Sequence, residues 1–393
     1  MKILVANVGS TSFKYKLYVD ETVVASGRLE RIGDPVSPQA YTTEAETIQT
    51  DTGLPDYTAA VRAVLDRLAE TALSSIEDLD AVGFKTVHIR GEAGTLELSE
   101  PVLARMADYN KLAPAHNPSY IEAIRIFREL EPTLKLVGLF EPAFHTTIPD
   151  YAYIYGVPYA WLEQHGIRKY GFHGASHRYI SERIPELTGR SPLGLRIISC
   201  HLGGSSSLCA IKDGKSLDTT MGFSPQDGVI NATRNGSIDP FIIPHIMDAE
   251  GLSTDEVREV LHNESGLLGI SGISGDLRDL QAAADLGEDR ARLAIEAYCY
   301  SIRREVGAMA TAIDGVDVLA FTGGIGERSP RVRAEVCAGL SHLGVQLDLA
   351  ANEAGDDERE MSAQGASVRT FTIPADEEKI VARAVAEHLE TSS

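Results

Sequence analysis

Three turns rich in glycine and hydroxyl side chains stand at the ends of apolar strands, and each is suited to hold phosphate. The first, Gly9-Ser10-Thr11-Ser12, follows Ile3-Leu4-Val5-Ala6-Asn7 and leads into residues 15–18. The second, Gly203-Gly204-Ser205-Ser206-Ser207, lies between residues 197–200 and 208–211. The third, Thr322-Gly323-Gly324-Ile325-Gly326-Glu327, follows Val318-Leu319-Ala320-Phe321. Glycines let the backbone approach a phosphate closely, and hydroxyls with N–H groups form an anion-binding concavity. Taken singly, each of the first two loops reads as a tight hairpin between strands. Their recurrence about half a chain apart points instead to a duplicated scaffold for phosphoryl transfer, with two phosphate turns and one nucleotide turn.

The elements that would position these turns are legible in the hydrophobic pattern. Strands are expected at 81–87, 135–140, 197–201, 208–212, 317–321 and 368–373. Between them Val61, Val64, Leu65 and Leu68 share a helical face, as do Ile121, Ile124, Phe127 and Leu130, and then Ile302, Val306, Met309 and Ile313. The fold class is therefore α/β, with helices covering mixed sheets. At 393 residues the chain suits two domains. Near the end, Pro374-Ala375-Asp376 reads as a helix start, with Ile380, Val381, Ala384 and Val385 on one face.

Composition excludes several classes. The formal net charge of -21 argues against a nucleic-acid partner, which needs a basic face. No apolar run reaches the roughly 18 residues that cross a bilayer, and the first strand begins too early for a signal peptide. A cytoplasmic protein with no membrane partner is expected. Cys200, Cys209, Cys299 and Cys337 show no CxxC pairing, and a reducing compartment suits them.

Eight segments carry a family resemblance: MKILVANVGSTSFKYKLY, LAPAHNP, GIRKYGFHGASH, DTTMGFSPQDG, TRNGSIDP, SGLLGISGISGDLRDL, FTGGIGERS and IPADEEKI. In order and spacing the chain resembles the acetate kinases and their propionate and butyrate relatives, over essentially its whole length. That family lies in the sugar kinase, actin and heat-shock ATPase superfamily. The resemblance implies two duplicated actin-like ATPase domains of ribonuclease H-like fold with an interdomain nucleotide cleft. The expected boundaries are 1–147 plus a C-terminal helix at about 379–393 for the acyl and phosphoryl side, and 148–378 for nucleotide binding and dimerisation. It further implies reversible phosphoryl transfer between ATP and a short-chain carboxylate, giving acyl phosphate and ADP with Mg²⁺ or Mn²⁺, in a homodimer. Such chemistry is chiefly positioning and charge neutralisation.

Site residues follow from the resemblance position by position. Asn7 matches the asparagine that helps hold the phosphoryl and metal region, and Glu377 the carboxylate that positions the metal. His173 matches the histidine that donates to phosphoryl oxygens, and Arg234 the arginine beside the transferred group. Lys14, His201, Gly203, Gly204, Asp276, Leu277, Arg278, Gly324 and Ile325 match nucleotide-site positions. Val87, Ala115, Phe172 and Pro225 match the acyl pocket, and His116 a further family histidine whose alternative is a structural role. His173 and His177 stand four apart, but the HExxH glutamate is missing, which argues against zinc.

Four departures stand out. Lys85 replaces the arginine expected to grip carboxylate and phosphoryl, and an ammonium cannot reproduce a bidentate fork. Arg90 either compensates or faces solvent. Glu141 replaces an aspartate, and the extra methylene displaces its carboxylate by more than about an ångström. Gly204 removes an asparagine side chain from the second phosphate loop, and Ala115 replaces a leucine of the acyl wall, leaving room for a longer acid. Two alternatives remain open on the sequence: a catalytically weak nucleotide-binding or sensing protein, and a kinase with a changed donor or acceptor such as pyrophosphate or a hydroxy acid.

Overall fold

A computed structural model describes residues 1–9, 11–89, 92–108, 117–355 and 357–391. Of the positions singled out above, Ser10, Arg90, Ala115 and His116 lie outside the described residues. The chain divides into unit 1, residues 1–143 and 376–393, and unit 2, residues 144–375.

Unit 1 is built on one sheet. Its strands are β1 (Lys2–Val8), β2 (Ser12–Val19), β3 (Thr22–Glu30), β4 (Gln39–Thr43), β5 (Thr47–Thr50), β6 (Ala81–Thr86), β7 (Thr95–Glu97) and β8 (Lys135–Phe140), in the order β5-β4-β3-β2-β1-β6-β8-β7. β1, β2 and β3 form an antiparallel meander, while β6 and β8 run parallel to β1. Both faces of β1 and β6 are covered, which is why these strands read as nearly continuous apolar runs. The helix Tyr57–Thr71 buries Val61, Val64, Leu65 and Leu68 in a core shared with Leu4, Phe84 and Phe127. Asp56 caps that helix by accepting from the Ala59 N–H at 2.8 Å. On the opposite face lies the C-terminal helix Glu377–Thr391, with Ile380, Val381, Ala384 and Val385 buried. Gly83 permits this packing: a Cβ there would stand 2.8 Å from Cγ2 of Val385.

Unit 2 repeats the plan. Its strands are β9 (Arg196–His201), β10 (Ser207–Lys212), β11 (Lys215–Thr219), β12 (Val318–Thr322), β13 (Arg359–Glu360) and β14 (Arg369–Thr372), in the order β11-β10-β9-β12-β14-β13. Again an antiparallel meander, β9-β10-β11, is followed by two strands parallel to its first, β12 and β14. Alternate residues feed two cores. Ile198, Cys200, Leu319 and Phe321 pack with Ile302, Val306 and Met309 of the long helix Asp289–Ala312, while Ile197, Ile211 and Phe371 pack with Ile180 and Ile184 of the helix Gly174–Thr188. All four cysteines are buried in unit 2 and form no disulfide.

The pattern-read strands coincide with β6, β8, β9, β10, β12 and β14 to within two residues. Strands β3, β4 and β5 escaped the pattern because their neighbours supply part of the packing. Gly27 of β3 pairs with Tyr15 of β2, and a Cβ there would meet the tyrosine ring at 2.3 Å.

Candidate active site

Unit 1 concentrates charge where β1, β6, the end of β8 and the first turn of the C-terminal helix meet. Lys85, on β6, places its Nζ 3.2 Å from Oε1 of Glu141 and also pairs with the Glu377 carboxylate. Burial alone would push this ammonium down, but Glu141 and Glu377 override it and hold Lys85 well above the usual lysine range. The Tyr120 hydroxyl donates to Oδ1 of Asn7 at 3.2 Å. Burial raises that phenol to about 12, with Lys85 opposing and Glu141 and Glu377 reinforcing the shift. Asn7, Lys85, Glu141 and Glu377 thus form one polar cluster, ordered by a tyrosine with no motif signature. Lys85 grips two protein carboxylates there, and the added methylene of Glu141 lets its carboxylate reach the ammonium.

Lys14 lies directly across the ladder from Asn7, so the two side chains share a face of the sheet. It lines a pocket of about 220 Å³ with Lys16, Ser26, Arg28, Thr42 and Glu378. Lys16 is already engaged, at 3.0 Å from Asp376 and 3.5 Å from Glu378. Val87, just beyond β6, is half-buried.

Unit 2 gathers histidines and hydroxyls. His173 precedes the helix Gly174–Thr188 with φ +56°, a left-handed conformation rare for a side-chain-bearing residue. Its ring stacks on His201, with centroids 4.1 Å apart, and its Nδ1 lies 2.8 Å from Oγ of Ser207. His201, at the end of β9, meets Oγ of Ser176 through Nδ1 at 2.8 Å. His177 contacts Ser199 through Nδ1 and Ser207 through Nε2, both at 2.8 Å. His145 donates from Nε2 to the Phe172 carbonyl at 3.0 Å, which fixes the backbone just before His173. Burial lowers His145 to about 4, so it is neutral at physiological pH. The buried Phe172 side chain and half-buried Pro225 both belong to this unit.

Arg234 approaches the β9–β10 loop, donating from Nη1 to Oγ of Ser205 at 3.1 Å. Desolvation lowers its guanidinium from the usual arginine range, and among the described residues no carboxylate pairs with it. Asn231 ties the two loops together, accepting the Ser206 N–H at 2.5 Å. Gly266 is required beneath them: at φ +61° a Cβ would come within 2.2 Å of the Asn231 carbonyl oxygen. At Gly204, by contrast, a Cβ would meet nothing within 4 Å, so packing does not impose the loss of the asparagine there. Gly203 keeps its loop compact, its N–H donating to Oγ of Ser206 at 3.2 Å.

In the third turn, Gly323 adopts φ +76° with its Cβ position 2.7 Å from the Leu202 carbonyl oxygen, to which Ile325 N–H donates at 2.8 Å. This bond links the turn holding Gly324 and Ile325 to the end of β9. The fully buried Arg333 straps it from below, donating to the Gly326 carbonyl at 2.8 Å and the Glu327 carbonyl at 2.6 Å. Asp276 caps the helix Leu277–Asp285, and the adjacent Arg278 guanidinium holds its carboxyl down to about 2. Leu277 is buried in the core of unit 2.

Motif reading missed Tyr120, Ser199 and Arg333. Ser199 left a signal, as a hydroxyl inside an otherwise apolar strand. Arg333 left none. Among the described residues no group of three or more His, Cys, Asp or Glu side chains is placed to hold a metal.

Residues 2–383 match the acetokinase family. An acetate kinase of Geobacillus sp. strain WCH70 is 43% identical over 389 residues, covering 98% of each chain. The acetate kinase of Bacillus subtilis strain 168 is 42% identical over 389 residues, with the same coverage. Among solved structures, Porphyromonas gingivalis acetate kinase superposes with a TM-score of 0.87 at 38% identity, covering 99% of both chains. A propionate kinase from Francisella tularensis gives 0.87 at 33% identity, covering 98% of both. With the duplicated sheets and the two charged centres, these likenesses place the chain in the acetokinase family, on the actin-like ATPase architecture.

Proposed function

We propose that this acetokinase-family phosphotransferase, which moves a phosphoryl group between ATP and a carboxylate, takes an acid longer than acetate. The observation that carries the assignment to phosphoryl chemistry is Arg234. Among the described residues the half-buried guanidinium hydrogen-bonds to one serine hydroxyl, and a desolvated cation with no carboxylate beside it suits an anionic ligand. Arg234 neutralises charge on the transferred group and His173 donates to its oxygens, while Lys85 offsets charge at Glu141 and Glu377. All four thiols are buried and raised by desolvation, so no cysteine competes as nucleophile.

The oxygen donors of Asn7 and Glu377 fit a hard cation, and these two residues would hold Mg²⁺. When bound, it would neutralise charge on the phosphate oxygens. Gly203, Gly204, Gly324, Ile325, Asp276 and Arg278 serve the nucleotide in this reading. The longer acid rests on Ala115 in place of leucine.

Self-association through unit 2 belongs to the same proposal. The helix Ile242–Glu250 buries none of its residues although it reads IIPHIMDAE, and Phe241 before it is 79% exposed. The net charge of -21 counts against a nucleic-acid partner. No described helix is long and apolar enough to cross a membrane. Four buried, unlinked thiols suit the cytoplasm.

The test is acyl-phosphate formation trapped as hydroxamate, with Mg-ATP and acids from formate to butyrate plus hydroxy acids, against a His173→Ala/Arg234→Ala blank. Turnover that rises from acetate to propionate or butyrate supports the proposal. Preference for acetate with rejection of butyrate removes the longer acid, and no turnover with any acid removes the carboxylate.

A further inference from the structure

The histidines of unit 2 are joined by serine hydroxyls into a chain whose proton order can be worked out from the contacts. Ser207 Oγ lies 2.8 Å from both Nδ1 of His173 and Nε2 of His177. A hydroxyl has one proton, so it can donate to only one ring and must accept from the other. His177 Nδ1 in turn meets Ser199 Oγ at 2.8 Å. Ser199 is fully buried on β9, and this imidazole nitrogen is the only hydrogen-bonding partner of its hydroxyl among the described residues.

Two orders are conceivable. If His177 carried its proton on Nδ1, it would donate to Ser199 and leave that buried hydroxyl proton with no acceptor, a costly state for a polar group. If it carries the proton on Nε2, every group is satisfied. Ser199 O–H then donates to His177 Nδ1, His177 Nε2–H donates to Ser207, and Ser207 O–H donates to His173 Nδ1. A His173 ring that accepts at Nδ1 holds its own proton on Nε2.

We propose that Ser199, His177 and Ser207 act as positioning residues that lock His173 as the neutral Nε2–H tautomer, a hydrogen-bond donor that needs no added proton. The inference deepens, and rests on, the reading of His173 as the phosphoryl donor. Protonating His173 at Nδ1 would reverse Ser207, then His177, and strand the Ser199 proton, so the relay opposes an imidazolium. His177 stays neutral because burial, with His145 and His201 adding to it, holds it well below the usual histidine range. Among the described residues, the groups facing this relay include His201, stacked on His173, His145 with Ser216 and Cys209, and the Lys169–Asp218 pair. The left-handed backbone of His173 and the bond from His145 to the Phe172 carbonyl fix the ring from the main-chain side.

The test is long-range ¹H–¹⁵N spectroscopy on the full chain labelled at histidine ring nitrogens, with His173 and His177 assigned from His173→Asn and His177→Asn. The resting protein should show both rings as Nε2–H tautomers from pH 7 down to 5.5. Ser199→Ala should release the order, so that Nδ1–H or imidazolium signals of His173 appear in that range and kcat falls at least tenfold with little change in nucleotide KM. Ser199→Thr, which keeps the hydroxyl, should restore both. A resting His173 in the Nδ1–H form, or a Ser199→Ala protein whose His173 tautomer and titration are unchanged, overturns the relay. Because the tautomer is read without substrate, that outcome is separate from failure of the functional reading, which would show as full activity in His173→Asn.

Discussion

Replacing Lys85 with methionine keeps the length of the side chain and removes the charge that Glu141 and Glu377 share. The Lys85, Glu141 and Glu377 side chains are only 22%, 7% and 18% exposed, so solvent can do little to replace the cation. At the 3.2 Å separation, the pairing with Glu141 amounts to about 5 kcal/mol at an effective dielectric near 20, before the cost of desolvating the ions. Removing one partner of a buried pair typically costs about 3–5 kcal/mol net. For a unit of this size that is a fall in Tm of roughly 6–20 °C. The sign with pH follows from which state holds protons. Lys85 has its folded pKa raised, so its contribution is complete below the unfolded lysine value of about 10.4 and does not change between pH 5 and 8. In Lys85→Met the two carboxylates repel, and a proton taken up by one of them relieves the repulsion. The deficit should therefore be largest at pH 8 and smaller at pH 5. Calorimetry of the variant and wild type at both pH values measures it, and adding Glu141→Gln should restore at least about 2 kcal/mol at pH 8. A Lys85→Met protein that melts with wild type at pH 8, or whose deficit grows toward pH 5, would refute the account.

Other outcomes follow from the two units. Arg234→Ala should lower kcat about a thousandfold while the carboxylate KM moves less than tenfold, and a loss under tenfold in the hydroxamate assay would remove Arg234 from the phosphoryl step. His145 is held neutral with its folded pKa depressed to about 4, so its stabilising share is whole above pH 6.5 and lost as pH falls toward 4. That share is about 3 kcal/mol, and urea titrations at pH 7 and 4.5 should show a smaller acid loss in His145→Gln. Arg333→Met should cost about 3–5 kcal/mol and raise the nucleotide KM, because four carbonyl and amide acceptors lose one guanidinium. Thermal melts and initial rates check both parts.

The sequence revealed most where the needed information was local. Strands such as β1, β9 and β12 are buried on both faces, so they read as apolar runs ending in glycine turns. The helical stripe from Ile302 to Met309 declares its buried face in the same way. Motifs singled out His173 and Arg234 by residue type, and each meets a serine hydroxyl of the second turn, Ser207 and Ser205 respectively. What could not be read was partnership across long stretches of chain. Glu377 neutralises Lys85 because the last helix packs on the sheet of unit 1, and nothing near either residue announces it. By its residue type alone Lys85 is a poor substitute for arginine, whereas its two carboxylate partners give the ammonium a place of its own. Tyr120 reaches Asn7 only through tertiary packing. The Ser199–His177–Ser207 order depends on the alternation of two strands against one helix, a geometry that spacing alone does not encode.

The division of the chain also sets an order of assembly. Unit 2 is one uninterrupted stretch, residues 144–375, while unit 1 is split around it. As the polypeptide leaves the ribosome, β1, β6 and β8 emerge early, but the helix that covers their second face is made only after all of unit 2. Until then the groove over Gly83 and its apolar neighbours is open to water and to other nascent chains, and the Lys85–Glu141 pair lacks Glu377. The unit whose synthesis begins first is thus the last to be finished, and the residue that completes its charge cluster arrives with the helix that closes its core.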